Sequence, residues 1–294
     1  MKKELIFYLF CFFALAVCAV WAILKYTSKL PDSKTNIIAT SYPVYIISLN
    51  IADGILNIEN LTSNHTGCLH DFVLQSRDMK KIENSSVLIL NSKIDSFEKE
   101  ISKKFPNKKI IDSSSGIKIH KKNTHIWLSV SNYIIQIKNI LNELCKIFPE
   151  HEHKFKENAE NYIKKIEDLK NNGHNLLDNF SGNDVVTINS SLYYLTNEFN
   201  FNSVTLTKHH NENFSAHDVK KSIKTLNKYK AKFILTTSSE SDKKLAEMIS
   251  REVDIKVIEL SLIASSNSKK IDKNSYINEM IQNFKVLHQN LLGL

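Results

Sequence analysis

Short apolar runs of strand length alternate with stretches of helical spacing along most of the chain. The run Asn36-Ile37-Ile38-Ala39-Thr40 is followed from Pro43 by Ile46, Ile47, Leu49, Ile51 and Ala52, at intervals that line a helix. The beat repeats as a helix over 76–83, the strand Val87-Leu88-Ile89-Leu90, a helix over 94–105 and the strand Lys109-Ile110-Ile111. From 130 to 179 only helical spacing remains, interrupted at Pro149. Beyond that proline Phe155, Ala159, Tyr162, Ile166 and Leu169 share one helical face. A helix over 150–178 is about 43 Å long at ~1.5 Å per residue, the length of a domain-spanning strut. Past Gly182 the alternation returns, with strands over 185–188, 203–206, 233–235 and 256–260 and helices over 191–199, 215–229, 242–253 and 275–292.

Buried strands that alternate with helices predict an α/β fold, because a parallel sheet needs helices on both faces. The expected architecture is two lobes of strand–helix units with mainly parallel sheets, joined by a long rigid linking helix. Its parts are an N-terminal lobe over 36–128, linking helices over 129–180 and a C-terminal lobe over 181–294. Open sheets of this kind bind ligands beyond the carboxyl ends of their strands.

The N-terminal end carries a different pattern. Residues 5–24 hold no charge, with Lys2 and Lys3 ahead of them and Lys25 behind. That span is long enough to cross a bilayer as a helix, and the basic flank predicts that the rest lies outside the cell. Residues 1–24 are therefore expected to be an anchor in a bacterial cytoplasmic membrane or a signal, with 25–35 as a tether. Leu15-Ala16-Val17-Cys18 resembles a lipoprotein box, although Val17 stands where that motif wants a small residue, and an ordinary cleaved signal is the third outcome.

Charge and composition narrow the function. The net charge of +8 comes from lysine, since Arg77 and Arg251 are the only arginines. Without arginine clusters, nucleic acid is not expected as a partner. No H-E-x-x-H helix or G-x-S-x-G elbow is present, and six glycines leave no phosphate-cradling loop, so an enzyme is not expected. Cys68 and Cys145 are the cysteines outside the apolar span; they either pair or stand apart, with Cys145 in the helical run Ile140-Leu141-Leu144-Ile147-Phe148.

Two short stretches hold the candidate chemistry: Gly67-Cys68-Leu69-His70-Asp71-Phe72 and Asn123-Thr124-His125-Ile126-Trp127-Leu128. Each sets one imidazole in a loop ahead of a helix. Together with Ser41-Tyr42-Pro43-Val44-Tyr45, Asn50-Ile51-Ala52-Asp53, the stretch from Asp78-Met79-Lys80-Lys81-Ile82-Glu83 to Leu90-Asn91, and the helix after Pro149, they resemble the metal-binding solute-binding proteins of bacterial ABC transporters for zinc, manganese or iron. The similarity spans roughly 36–290. It implies a four-ligand site between the lobes, with His70 and His125 at the first two positions. Where the family usually has a histidine and an acidic residue, the strands here lead into Asn189 and Ser238. Two neutral oxygens do not cancel the charge of a divalent ion, so Cys68, Asp71 or Glu240 is left to supply the missing anion.

The resemblance implies a monomeric receptor that captures a divalent transition metal and hands it to an ABC permease and its ATPase. Zinc is the first expectation, with manganese or no metal as alternatives. A module of the same fold whose metal site has decayed is the second reading. His151 and His153 do not share a helix face, and His209-His210 lies in a polar loop. The histidine-rich loop of many zinc-type relatives is absent, since Ile117 to Asn123 contains only His120.

Overall fold

The computed structural model describes residues 36–63, 72–92, 96–207, 214–265 and 271–293. The apolar N-terminal span, the tether, the loop with Cys68, His70 and Asp71, and His209-His210 lie outside the described residues. Among the described residues no helix is long and apolar enough to cross a membrane.

The first sheet contains β1 (Asn36–Ala39), β2 (Asn57–Asn60), β3 (Val87–Leu90) and β4 (Lys109–Asp112), with α1 (Tyr42–Ala52), α2 (Ser76–Asn84) and α3 (Ser96–Lys104) between them. The second contains β5 (Asp184–Thr187), β6 (Asn202–Thr205), β7 (Phe233–Thr237) and β8 (Lys256–Leu260), with α6 (Tyr193–Glu198), α7 (Ala216–Lys228) and α8 (Glu240–Glu252). Their strand orders are β2-β1-β3-β4 and β6-β5-β7-β8, and every pairing is parallel. The two lobes thus repeat one topology. Central strands β3 and β7 are buried throughout, which is why Val87 to Leu90 and Phe233 to Leu235 read as unbroken apolar runs. Edge strand β2 alternates instead, and its Asn-Ile-Glu-Asn sequence has one apolar residue in four. Hydrophobic pattern alone therefore passes over it.

Between the sheets run α4 (Val130–Ile147) and α5 (Glu152–Leu177), and α9 (Ser275–Leu291) closes the chain. Pro149 opens a 3-10 turn ahead of α5 and costs no hydrogen bond there. The 26 residues of α5 extend about 39 Å, and Phe155, Ala159, Tyr162, Ile166 and Leu169 are all buried. The strand faces divide by period two. Ile37, Ile89, Val185 and Leu235 look inward to a core that α1, α4, α5 and α9 complete, continuous through both lobes. Ile38 and Leu88 belong to a separate outer core of the first lobe, Val186 and Ile234 to that of the second. The linking helices are consequently the shared floor of both lobes as well as a strut, and residues 36–294 form one compact unit.

Close packing on that floor is tight enough to select glycine. A Cβ added at Gly173 of α5 would lie 2.8 Å from the Phe284 ring and 2.9 Å from that of Phe199. Nearby, the rings of Tyr133 and Tyr276 stack with centroids 3.6 Å apart, and the Tyr133 and Tyr162 hydroxyls are 3.1 Å apart. Burial pushes the pKa of all three phenols up, which keeps them protonated and able to share hydrogen bonds.

Candidate metal site

Strand order reverses between β1 and β3 and between β5 and β7, which opens a crevice at the carboxyl ends of each pair. A buried carboxylate occupies each crevice. In the first lobe Glu98, in the first turn of α3, accepts hydrogen bonds from the Thr40 hydroxyl after β1 and from the Asn91 and Ser92 backbone N–H groups after β3. In the second lobe Asp242, in the first turn of α8, accepts from the Asn189 amide after β5 at 2.5 Å and from the Thr237 hydroxyl at the end of β7 at 2.7 Å. Burial raises the Asp242 carboxyl from its ordinary value of 3.8 to about 6, against the opposing pull of those two donors.

His125 stands at the crossing between the lobes. It precedes a 3-10 turn, Ile126–Leu128, that leads into α4, and it is 2% exposed. Its ring Nδ1 is 2.8 Å from the Asn123 side-chain oxygen, and its centroid is 5.3 Å from that of Trp127. The segment is tied to both lobes. From the first, the Asn91 amide donates to the Thr124 carbonyl, while the Gln136 amide donates to Asn91 and to the Ser113 hydroxyl. From the second, the Asn123 amide donates to the Ser190 carbonyl, the Trp127 indole donates to the Leu262 carbonyl at 2.7 Å, and the Tyr276 hydroxyl donates to the Trp127 carbonyl. Glu198 accepts from the Ser129 hydroxyl and from the Ser131 N–H and hydroxyl, so an anion from the second lobe meets the positive end of α4.

The structure sorts the residues singled out from the sequence. His70, Cys68 and Asp71 lie outside the described residues. His125 and Asn189 are brought to one seam, because Asn123 touches Ser190, the neighbour of Asn189. Ser238 is exposed and lines a cavity of about 330 Å³ with Ser239, Glu259, Ser261 and Glu279, whose walls include neither His125 nor Asn189. Glu240 is exposed too. The carboxylate that faces the crevice is Asp242, two residues further along, since residues i and i+2 of a helix look in different directions. Sequence reasoning missed it. The available signal was an acidic residue in the first turn of a helix that follows a central strand. Cys145 is half-buried on α4 with a free thiol, and among the described residues no three histidine, cysteine or acidic side chains form a cluster.

Two parallel sheets that share one helical floor, with a histidine on the segment between them, have the fold of the two-lobed solute-binding proteins. The chain belongs to the family described as ZnuA, zinc-uptake complex component A, periplasmic, whose model matches residues 37–290. It is 23% identical to the zinc-binding protein AdcA of Streptococcus pyogenes serotype M6, across 98% of this chain and 61% of that protein. The chain thus spans about three fifths of the length of that relative. To the metal ABC transporter substrate-binding lipoprotein ScbA of Streptococcus cristatus it is 24% identical, across 99% of both. Among solved structures the manganese complex of the binding protein FpvC from Pseudomonas aeruginosa has a TM-score of 0.79 at 22% identity, across 89% of this chain and 99% of that one. A zinc-bound variant of AdcAII from Streptococcus pneumoniae has a TM-score of 0.77 at 20% identity, across 89% and 100%. At these identities the structural likeness establishes the shared fold.

Proposed function

We propose that the protein is an extracytoplasmic receptor, held at a bacterial membrane by its N-terminal segment, that captures a divalent transition metal between its lobes. It then passes the ion to an ABC permease driven by an ATPase. Zinc is the proposed cargo, supported by the family description and by relatives that carry zinc in their names. The protein performs no covalent chemistry in this reading.

The observation that carries the proposal is His125, buried at the lobe crossing on a segment that both lobes hold. The proposed ligands are His70 and His125 with the carbonyl oxygen of Asn189. Donation from its amide to the Asp242 carboxylate draws negative charge onto that oxygen, so Asp242 offsets part of the ion's charge from one bond further out. Ser238 is left out of this set because the walls of its cavity include neither His125 nor Asn189.

Imidazoles bind metal only when deprotonated, so capture should weaken as pH falls through about 6.5. Calorimetric titration with zinc and with manganese, at about pH 7.5 and about 5.5 on either side of that value, tests the proposal. Tight binding at the higher pH that is lost in the lower buffer and in His125→Ala is the expected result. Equal heats at both pH values would remove histidine ligation.

A further inference from the structure

We infer that Asn123 is a positioning residue for metal capture: its carboxamide holds His125 as the Nδ1–H tautomer, which contact between the lobes reinforces. The inference rests on the receptor function proposed above.

The two ends of the Asn123 side chain differ chemically, and their surroundings decide which end points where. A carbonyl accepts and never donates, so the group 2.6 Å from the Ser190 carbonyl must be the amide nitrogen. The oxygen is then the end that faces His125, 3.0 Å from its backbone N and 2.8 Å from its ring Nδ1. That oxygen accepts only, so Nδ1 must carry a proton. A neutral His125 ring therefore has its lone pair on Nε2, the form that a borderline divalent metal requires there. In an unconstrained histidine the Nε2–H tautomer is the more populated one, so the preference has been inverted before any ion arrives.

Asn123 also belongs to an interlobe clip through its backbone. The Tyr194 hydroxyl donates to the Asn123 backbone carbonyl at 3.0 Å and accepts from the His120 N–H at 2.9 Å. The His120 ring stacks on Tyr193 with centroids 3.9 Å apart and planes 13° from parallel. Between them Lys121 and Lys122 adopt φ values of 45° and 64°, a left-handed pair that non-glycine residues hold only where neighbours constrain them. Parting this seam would take Ser190 away from Asn123 and leave its carboxamide oriented by the His125 N–H alone. Contact between the lobes at this point thereby reinforces the capture-ready tautomer.

Long-range proton–nitrogen correlation spectra of the metal-free, full-length chain with ¹⁵N-labelled histidine, at about pH 8 where an ordinary imidazole is neutral, read the tautomer directly; His125→Asn assigns the signal. The wild type should show protonated Nδ1 and bare Nε2. Asn123→Ala should shift the population towards Nε2–H and weaken zinc binding by about 10- to 100-fold. Asn123→Asp keeps an acceptor against Nδ1 while losing the donor to Ser190, and should retain the tautomer. An Nε2–H ring in the wild type, or an unchanged ring in Asn123→Ala, overturns the inference. So does a shifted ring with unaltered zinc affinity. A wild type that shows the expected tautomer yet takes up no zinc sinks the receptor reading instead, and with it the purpose assigned to Asn123.

Discussion

The Asn189 amide meets the Asp242 carboxylate across 2.5 Å at a site where both side chains are almost fully buried. Asn189 follows β5 and Asp242 follows β7, so this one bond spans the switch point of the second sheet. Its oxygen in turn accepts from the Ser191 N–H at 2.8 Å, which fixes the amide's orientation. Glu98 performs the corresponding task in the first lobe, taking donors from the ends of β1 and β3. A repeated carboxylate of this kind gives each sheet a rigid carboxyl-end platform.

Asp242 should make stability depend on pH. Its folded value of about 6 lies above the ordinary 3.8, so the folded state holds the proton more tightly than the unfolded one. The resulting stabilisation is complete below about 3.9 and is lost as pH rises through about 6, amounting to on the order of 1–3 kcal/mol. Thermal melts of the wild type and Asp242→Asn across that range should converge in acid and diverge towards neutrality, with the wild type losing ground. Parallel curves would show that Asp242 does not titrate there.

Asn91 should matter to His125 without touching it. Replacing it with alanine removes the donor to Thr124 and one acceptor of Gln136, both buried. Urea unfolding of Asn91→Ala should show a loss of about 1–3 kcal/mol, since two buried hydrogen bonds are removed. Zinc affinity, measured on the fraction that remains folded, should fall as the Thr124–His125 segment loosens.

Trp127→Phe isolates one interlobe hydrogen bond. The phenyl ring retains most of the apolar burial, while the Leu262 carbonyl loses the indole donor that lies 2.7 Å away. A destabilisation of about 1–3 kcal/mol in denaturant titration is expected. A change near zero would mean that water reaches that carbonyl.

Gly173→Ala tests the packing of the shared floor. Helix propensity by itself favours alanine by about 1 kcal/mol. Yet the new methyl would press on the Phe284 and Phe199 rings at less than van der Waals distance. Overpacking costs about 1–3 kcal/mol, so the melting temperature should fall. A rise would show that the two rings can withdraw.

Much of this fold is legible in the chain because its information is local. Val87 to Leu90 and Phe233 to Leu235 are apolar without interruption since both faces of a central strand are covered. The Phe155 to Leu169 face steps as a helix must, and Pro149 marks where that helix starts. Strand β2 escaped because an edge strand needs only Ile58 to be apolar. The histidine of the second loop was legible too, from its setting ahead of Trp127 and a helix.

Sequence by itself therefore determined the alternation of strands and helices, the parallel sheets and the long helix, and it put His125 forward as a candidate. It offered Glu240 with Cys68 and Asp71 as the anion and passed over Asp242, because Glu240 and Asp242 differ only in which way a helical turn points them. Tertiary structure alone decided that Asp242 faces Asn189 and that Ser238 opens on another cavity. It also decided that Asn123 reaches Ser190 across 67 residues of chain. Such pairings depend on how the two lobes pack on one floor, and no local spacing encodes them.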